Sequence, residues 1–370
     1  MKVLFINEAC GIGSHGRICV RKAENMERAG DTCYIAYGRY GYVPEKAKRF
    51  GIRIGSDFGV RLAGVETRLF DNHGLASKFA TRKFLKWAEE FSPELIWLHN
   101  LHGYYINYPM LFRWIKKHPE TEVRWTLHDC WSFTGHCAHF SYVKCNQWKT
   151  QCRRCLEKRS YPASILFDRC SRNYRKKKEA FTGVKKMSVL VPSKWLAELV
   201  KESFLSEYPV TVEYNKIDEG IFKKTESDFR HRYNLAEKKI ILGVASDWTE
   251  RKGLGDYYRL AELLSEQFKV VLVGLKTNQI KEVPQTVLAL PRTESIDELV
   301  GIYSSADVFV NLTYEDTYPT VNLEAKACKV PVITYDTGGC RETVSDYDKA
   351  WIVETGDYKK VAEILNEKFS

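Results

Sequence analysis

The chain has 370 residues, a length that suits two domains, and its 44% hydrophobic and 28% charged content is that of a globular protein, not a disordered or fibrous one. Lysine and arginine number 57 against 47 acids, and the net charge of +10 suits an anionic partner such as a phosphorylated substrate or a lipid surface. No stretch approaches the ~18–20 apolar residues of a membrane span, the opening residues read as a strand and not as a secretory leader, and eleven cysteines in such a chain argue against a disulfide framework, so a cytoplasmic location is expected.

In chain order, Val3–Asn7 reads as a strand, Gly16–Ala29 as a helix, and Thr32–Tyr37 and Leu95–His99 as strands. Met110–Lys117 is helical in pattern and Val123–Leu127 is a strand. Ser188–Pro192 and Val210–Glu213 are strands around a helix at Lys194–Phe204. Strands then recur at Ile240–Ala245, Val270–Val273, Val287–Leu290, Val308–Leu312 and Val332–Tyr335, separated by helices at Leu254–Ser265, Ser295–Ser304 and Pro319–Ala327. A last helix lies at Tyr358–Phe369. This alternation predicts two α/β blocks, each with a parallel sheet covered on both faces. The expected domains are 1–186 and 187–355, with 356–370 as a helix that packs back on the first.

Four loops carry chemistry. The first, Gly11-Ile12-Gly13-Ser14-His15-Gly16-Arg17, follows the first strand, where a glycine turn and a helix start suit an anion and Arg17 adds a cation. A plain strand-to-helix turn is the alternative. The second, Asp247 to Gly253, places Arg251 and Lys252 after a strand, at the sheet edge where α/β proteins bind ligands. The third runs from Tyr314 to Ala325. Pro319 suits a first helical turn, and the amides of Thr320, Val321 and Asn322 suit phosphate, with Asp316 and Glu324 nearby as acceptors for sugar hydroxyls. The fourth, Thr334 to Gly339, is a glycine turn beside the third.

As a set, these motifs resemble the retaining glycosyltransferases of family 4, and within them a capsule and exopolysaccharide type of group 1 glycosyltransferase. Asp316 and Glu324 stand at the two places of that family's Glu-x7-Glu element. Its Glu-Ala-x-Ala continuation is visible as Glu324-Ala325-Lys326-Ala327 through Pro331-Val332, and its linker motif as Asn215-Lys216-Ile217-Asp218. The resemblance implies a GT-B fold of two Rossmann-like domains facing across a cleft, the first on the acceptor side and the second binding a nucleotide diphosphate sugar. It implies transfer with retention to a glycan or lipid-linked acceptor, with Glu324 on the ribose, Asp316 on the transferred sugar, and Lys252, with Arg251, on the diphosphate. Ser246 and Asp247 stand where the family usually has an arginine. His128, in Thr126-Leu127-His128-Asp129, is expected to contact donor or acceptor; His99 and His102 are weaker candidates.

Cys137, Cys145, Cys152 and Cys155 are a candidate structural zinc set, with free thiols or a redox pair as alternatives and His136 and His139 as substitute ligands. The transfer itself requires no metal. The Arg172–Lys178 run suits peripheral association with an anionic inner membrane face, although solvated surface charge explains it equally. Nucleic acid is not expected, because aromatics do not interleave with the cations. A GT-B epimerase and a non-catalytic nucleotide-sugar-binding subunit are the competing functions.

Overall fold

The computed structural model describes residues 1–370, which divide into two units: Met1–Pro192 with Leu196–Glu213, and Ser193–Trp195 with Tyr214–Ser370. Each is built on one sheet in which every strand pair is parallel.

The first sheet comprises β1 (Lys2–Ile6), β2 (Thr32–Tyr37), β3 (Gly51–Arg53), β4 (Leu95–Leu98), β5 (Glu122–Thr126), β6 (Met187–Val191) and β7 (Val210–Val212), in the order β3-β2-β1-β4-β5-β6-β7. Val3, Leu4, Phe5 and Ile6 are all buried completely. A central strand covered on both faces must be apolar at every position, which is why β1 reads as a continuous run and not an alternating one.

The second sheet comprises β8 (Lys239–Val244), β9 (Phe268–Val273), β10 (Val287–Leu290), β11 (Val308–Asn311), β12 (Val332–Tyr335) and β13 (Ala350–Val353), ordered β10-β9-β8-β11-β12-β13. Its two faces separate cleanly. Ile241, Val270, Leu272, Val308 and Val310 enter one core cluster, while Ile240, Leu242, Val271, Val273 and Phe309 enter the other. That division is the period-two alternation of side chains across a sheet. Both units thus have the doubly wound architecture expected of the GT-B fold.

Two expectations about domain limits are corrected. The boundary near 186 is too early, because Val123 pairs with Met187 and Val189 with Val210, so β6 and β7 complete the first sheet. The last helix, Tyr358–Phe369, does not belong with the first unit. Its Val361, Ala362, Ile364 and Leu365 are buried with Tyr257 and Leu260 of the Leu254–Leu263 helix. No helix is long and apolar enough to cross a membrane.

The turn before the Leu254–Leu263 helix depends on Gly253. Its φ is 75°, and a Cβ there would lie 2.0 Å from the Leu312 carbonyl oxygen. Left-handed geometry alone costs a non-glycine residue roughly 1–2 kcal/mol, and the contact adds to it. Gly253→Ala is expected to lower the melting temperature by at least about 4 °C; an unchanged transition would show that the Gly253 turn can move away from β11.

Candidate functional site

In both sheets the strand order reverses direction once, between β1 and β4 and between β8 and β11. Loops leaving the carboxyl ends of such strands part from each other, and the gap is where doubly wound sheets bind ligands. All four loops singled out by sequence stand at carboxyl ends of central strands.

In the second unit, Glu250–Lys252 forms a single 3-10 turn after β8. Lys252 Nζ donates to Asp316 Oδ2 at 2.5 Å, joining the loop after β8 to the loop after β11. Both side chains are about one-fifth exposed, 23% and 22%. Asp316 Oδ1 also accepts from Tyr318 N. Arg251 does not share in that bridge. Its Nη1 donates to the Glu315 carbonyl at 2.9 Å, and its own carbonyl accepts from Tyr314 N at 2.8 Å. Arg251 braces the loop that carries Asp316.

The Thr334–Gly339 segment closes against this loop. Gly339 N donates to Asp316 O, and Thr337 Oγ1 to Tyr314 O. A Cβ on Gly338 would sit 1.9 Å from Asp316 O, and one on Gly339 2.1 Å from Thr317 O. The paired glycines therefore permit a backbone approach that no side chain would allow. Beneath, buried Asp256 accepts from the hydroxyls of Tyr314 and Tyr335, each at 2.7 Å. Asp256 was not singled out by sequence, because its partners lie 58 and 79 residues away.

Thr320–Ala327 is a helix whose Pro319 cap makes no side-chain bond. The first amides of a helix have no partner within it, and here Asn322 N turns back to Pro319 O. Asn322 therefore departs from its expected role. Its side chain is buried, accepting from Asn311 and donating to Thr343, and holds the helix to β11. Thr320 and Val321, both half-buried, form the open end of the helix, with its positive dipole. Glu324, buried one turn on, accepts from the Tyr303 hydroxyl at 3.0 Å. Burial and that carboxylate push the Tyr303 hydroxyl well above its ordinary range. Asp247, in the place of the family's arginine, pairs with Lys276.

In the first unit, the Gly13–Arg28 helix starts at the glycine loop, with Gly13 and Arg17 both exposed. His15, not singled out by sequence, stacks on His128 with ring centroids 4.1 Å apart. His128 Nε2 lies 3.0 Å from His99 Nδ1. Burial pushes both His99 and His128 well below the usual imidazole range, and Lys22 and the neighbouring rings add to it. His102 behaves oppositely. Burial works against its charge, but Asp129 at 2.8 Å outweighs it and raises the imidazole. The His102 Nδ1 also meets the Tyr161 hydroxyl.

The cysteines do not assemble as a zinc set. All eleven are free thiols, and nowhere are three His, Cys, Asp or Glu side chains gathered to hold a metal ion. Cys137 bonds to Cys155, which raises the first thiol and lowers the second. Cys152 accepts from Gly135 N. His136 is engaged elsewhere, with buried Asp71 at 2.7 Å.

The basic run Arg172–Lys178 is divided: Arg175, Lys176 and Lys178 are exposed, while Arg172 and Lys177 turn inward. Arg172 donates to Asp71 O and Asn72 Oδ1. Lys177 is buried over the Trp131 ring and donates to the Trp131 carbonyl. Burial pushes the Lys177 ammonium down to about 7. The unfolded chain keeps that proton to about 10.5, so it binds more protons than the folded chain between these values, and stability rises with pH across the window. The gain is at most about 1.4 kcal/mol per pH unit. The melting temperature of the natural protein relative to Lys177→Met is expected to rise from pH 7 to pH 9 (about 2 units, inside that window). A constant difference would mean that Lys177 keeps its proton.

Comparison with known proteins bears on family and fold. Residues 225–369 match the glycosyl transferases of group 1. The putative colanic acid biosynthesis glycosyl transferase WcaC of Escherichia coli is 27% identical over 272 residues, 68% of this chain and 62% of that protein. The capsular polysaccharide biosynthesis glycosyltransferase CapM of Staphylococcus aureus is 26% identical over 46% of this chain and 48% of its own length. This chain thus spans less than two thirds of either relative. Among solved structures, the sucrose-phosphate synthase of Thermosynechococcus elongatus superposes with a TM-score of 0.69 at 16% identity, over 99% of this chain and 89% of that one. Anabaena HepE in complex with UDP gives 0.65 at 16% identity, with the same coverage. These two share the fold.

Proposed function

We propose, from the match of residues 225–369 to the group 1 glycosyl transferases, that the protein moves a sugar from a nucleotide diphosphate donor to a glycan or lipid-linked acceptor in the synthesis of a surface polysaccharide. The observation that carries this reading is the Lys252–Asp316 bridge beside the open helix end at Thr320. A cation, two outward amides and two carboxylates meet the needs of a sugar diphosphate: positive charge for the phosphates, acceptors for hydroxyls.

In this reading the diphosphate takes Lys252 from Asp316 and lies on the amides of Thr320 and Val321. Asp316, once released, accepts from the transferred sugar. Glu324 accepts from the ribose while Tyr303 holds its second bond. Arg251 acts by bracing the Asp316 loop. Charge that builds on the departing phosphate is met by groups already in place, so little reorganisation is needed in the transition state. The chain offers no nucleophile at this site beyond Asp316, which suits retention guided by the leaving phosphate, as in family 4. Neutral His128 contacts a sugar hydroxyl in the first unit. UDP is the first nucleotide to try, because structures with this fold hold UDP and UDP-glucose.

A thermal-shift screen of nucleotide sugars tests this reading. One donor class is expected to raise the melting temperature, and Glu324→Ala to weaken that donor by about tenfold to a hundredfold, as expected for loss of hydrogen bonds to a charged group. No shift with any nucleotide sugar, or an undiminished one in Glu324→Ala, would refute the assignment. Product analysis with donor alone and with acceptor separates transfer from epimerisation or simple binding.

A further inference from the structure

The Asp57–Phe70 helix has its polarity inverted. Its buried positions are the small residues Ala63, Gly64 and Thr67. Large apolar residues point outward instead: Phe58 is 76% exposed, Leu62 59% and Val65 51%. Their spacing of four and three residues makes one stripe along the helix. A helix that stabilised only its own domain would bury these and expose the polar ones.

The stripe borders an apolar cavity of about 640 Å³ between this helix and the Lys78–Phe91 helix, lined by Ile54, Val60, Leu62, Ala63, Phe84 and Trp87 among others. Phe79, also in that lining, is 81% exposed. Single exposed apolar residues are ordinary, but three large ones on one helix face, with Phe79 beside the cavity that Leu62 also lines, are not.

Cations outnumber acids around the patch, where the stripe's own helix carries Asp57, paired with Arg53, and Glu66. Lys78, Arg82, Lys83 and Lys86 are all exposed, and no acid occurs in the Lys78–Phe91 helix before Glu89. Exposed Arg61 adds a fifth cation on the neighbouring helix. Protein–protein interfaces are depleted of lysine at their cores, whereas apolar side chains ringed by lysine match a bilayer surface, where the stems lie along the acyl boundary and the ammonium groups reach lipid phosphates.

We propose that the Phe58–Leu62–Val65 stripe, with Phe79 and the cations Lys78, Arg82, Lys83 and Lys86, docks the first unit on an anionic lipid bilayer. The aromatic and aliphatic side chains enter the interface and the cations bind lipid phosphates. This goes beyond the donor chemistry of the second unit and uses none of its residues. It is separate from the Arg172–Lys178 run, which keeps Arg175, Lys176 and Lys178 exposed but carries no apolar stripe.

The test is flotation of the full chain with phosphatidylcholine vesicles, with and without phosphatidylglycerol. Two variants accompany it, Phe58→Ser with Phe79→Ser, and Lys78→Glu with Arg82→Glu and Lys83→Glu. The thermal shift given by UDP is read on each in parallel. The natural chain is expected to float only with phosphatidylglycerol, and each variant to lose roughly tenfold or more in partitioning, while keeping its UDP shift. A natural chain that stays unbound, or floats equally without the anionic lipid, would overturn the proposal. So would variants that float as well as the natural chain. A drop in the natural chain's solution mass on mutating Phe58 and Phe79 would assign the stripe to a second copy instead. Loss of the UDP response in the natural chain would strike the donor reading and leave this one standing.

Discussion

The reversal of strand order between β8 and β11 is the constraint on which the second unit's chemistry depends. Connections from β8 and β11 depart to opposite sides of their sheet, so their loops separate and both following helices start at the same edge. Lys252 comes from one loop and Asp316 from the other. Their bridge is possible because the two strands are neighbours, with Val308 beside Ile241 and Phe309 beside Leu242. Glycines set how tightly the loops close. Gly253, Gly338 and Gly339 each stand where a Cβ would meet a carbonyl oxygen at about 2 Å (2.0, 1.9 and 2.1 Å).

Within that frame the polar groups divide between holding the scaffold and meeting a ligand. Asp256, Asn322 and Arg251 have their bonds inside the protein and fix loop positions. Lys252, Asp316 and the start of the Thr320 helix keep partial exposure. The Lys252–Asp316 bridge keeps an unliganded cation and carboxylate from being desolvated without a partner, which is the costly case for buried charge. In the proposed function, an entering diphosphate exchanges one anion for another on Lys252. In the first unit the same order reversal gathers His15, His99 and His128, and there burial holds the His99 and His128 imidazoles well below their usual range.

Much of this was legible in the sequence, for a physical reason. Strands covered on both faces appear as short apolar runs, so β1, β2 and β8 to β12 could be placed within about two residues. Lys252 and Asp316 could be singled out as candidates because loops after such strands have few structural reasons to carry charge, and Glu324 because it lies one turn into the helix that follows. What escaped depends on distant pairing. Nothing local shows that Asp256 will meet Tyr314 and Tyr335, that Asp71 will hold His136, or that Lys177 will turn under Trp131. Spacing alone suggested a cysteine zinc set that the fold does not gather. The domain limit failed because the basic stretch before β6 resembles a linker, although β6 and β7 still pair with the first sheet. The Asp57–Phe70 helix was not anticipated, since its large apolar residues lie on the solvent side and the usual helical pattern is inverted.

A crystal structure of the protein with UDP measures the central claim most directly. The account places the diphosphate on the amides of Thr320 and Val321, with Lys252 Nζ transferred from Asp316 to a phosphate oxygen and the ribose on Glu324. A diphosphate bound elsewhere, with the Lys252–Asp316 bridge intact, would contradict it.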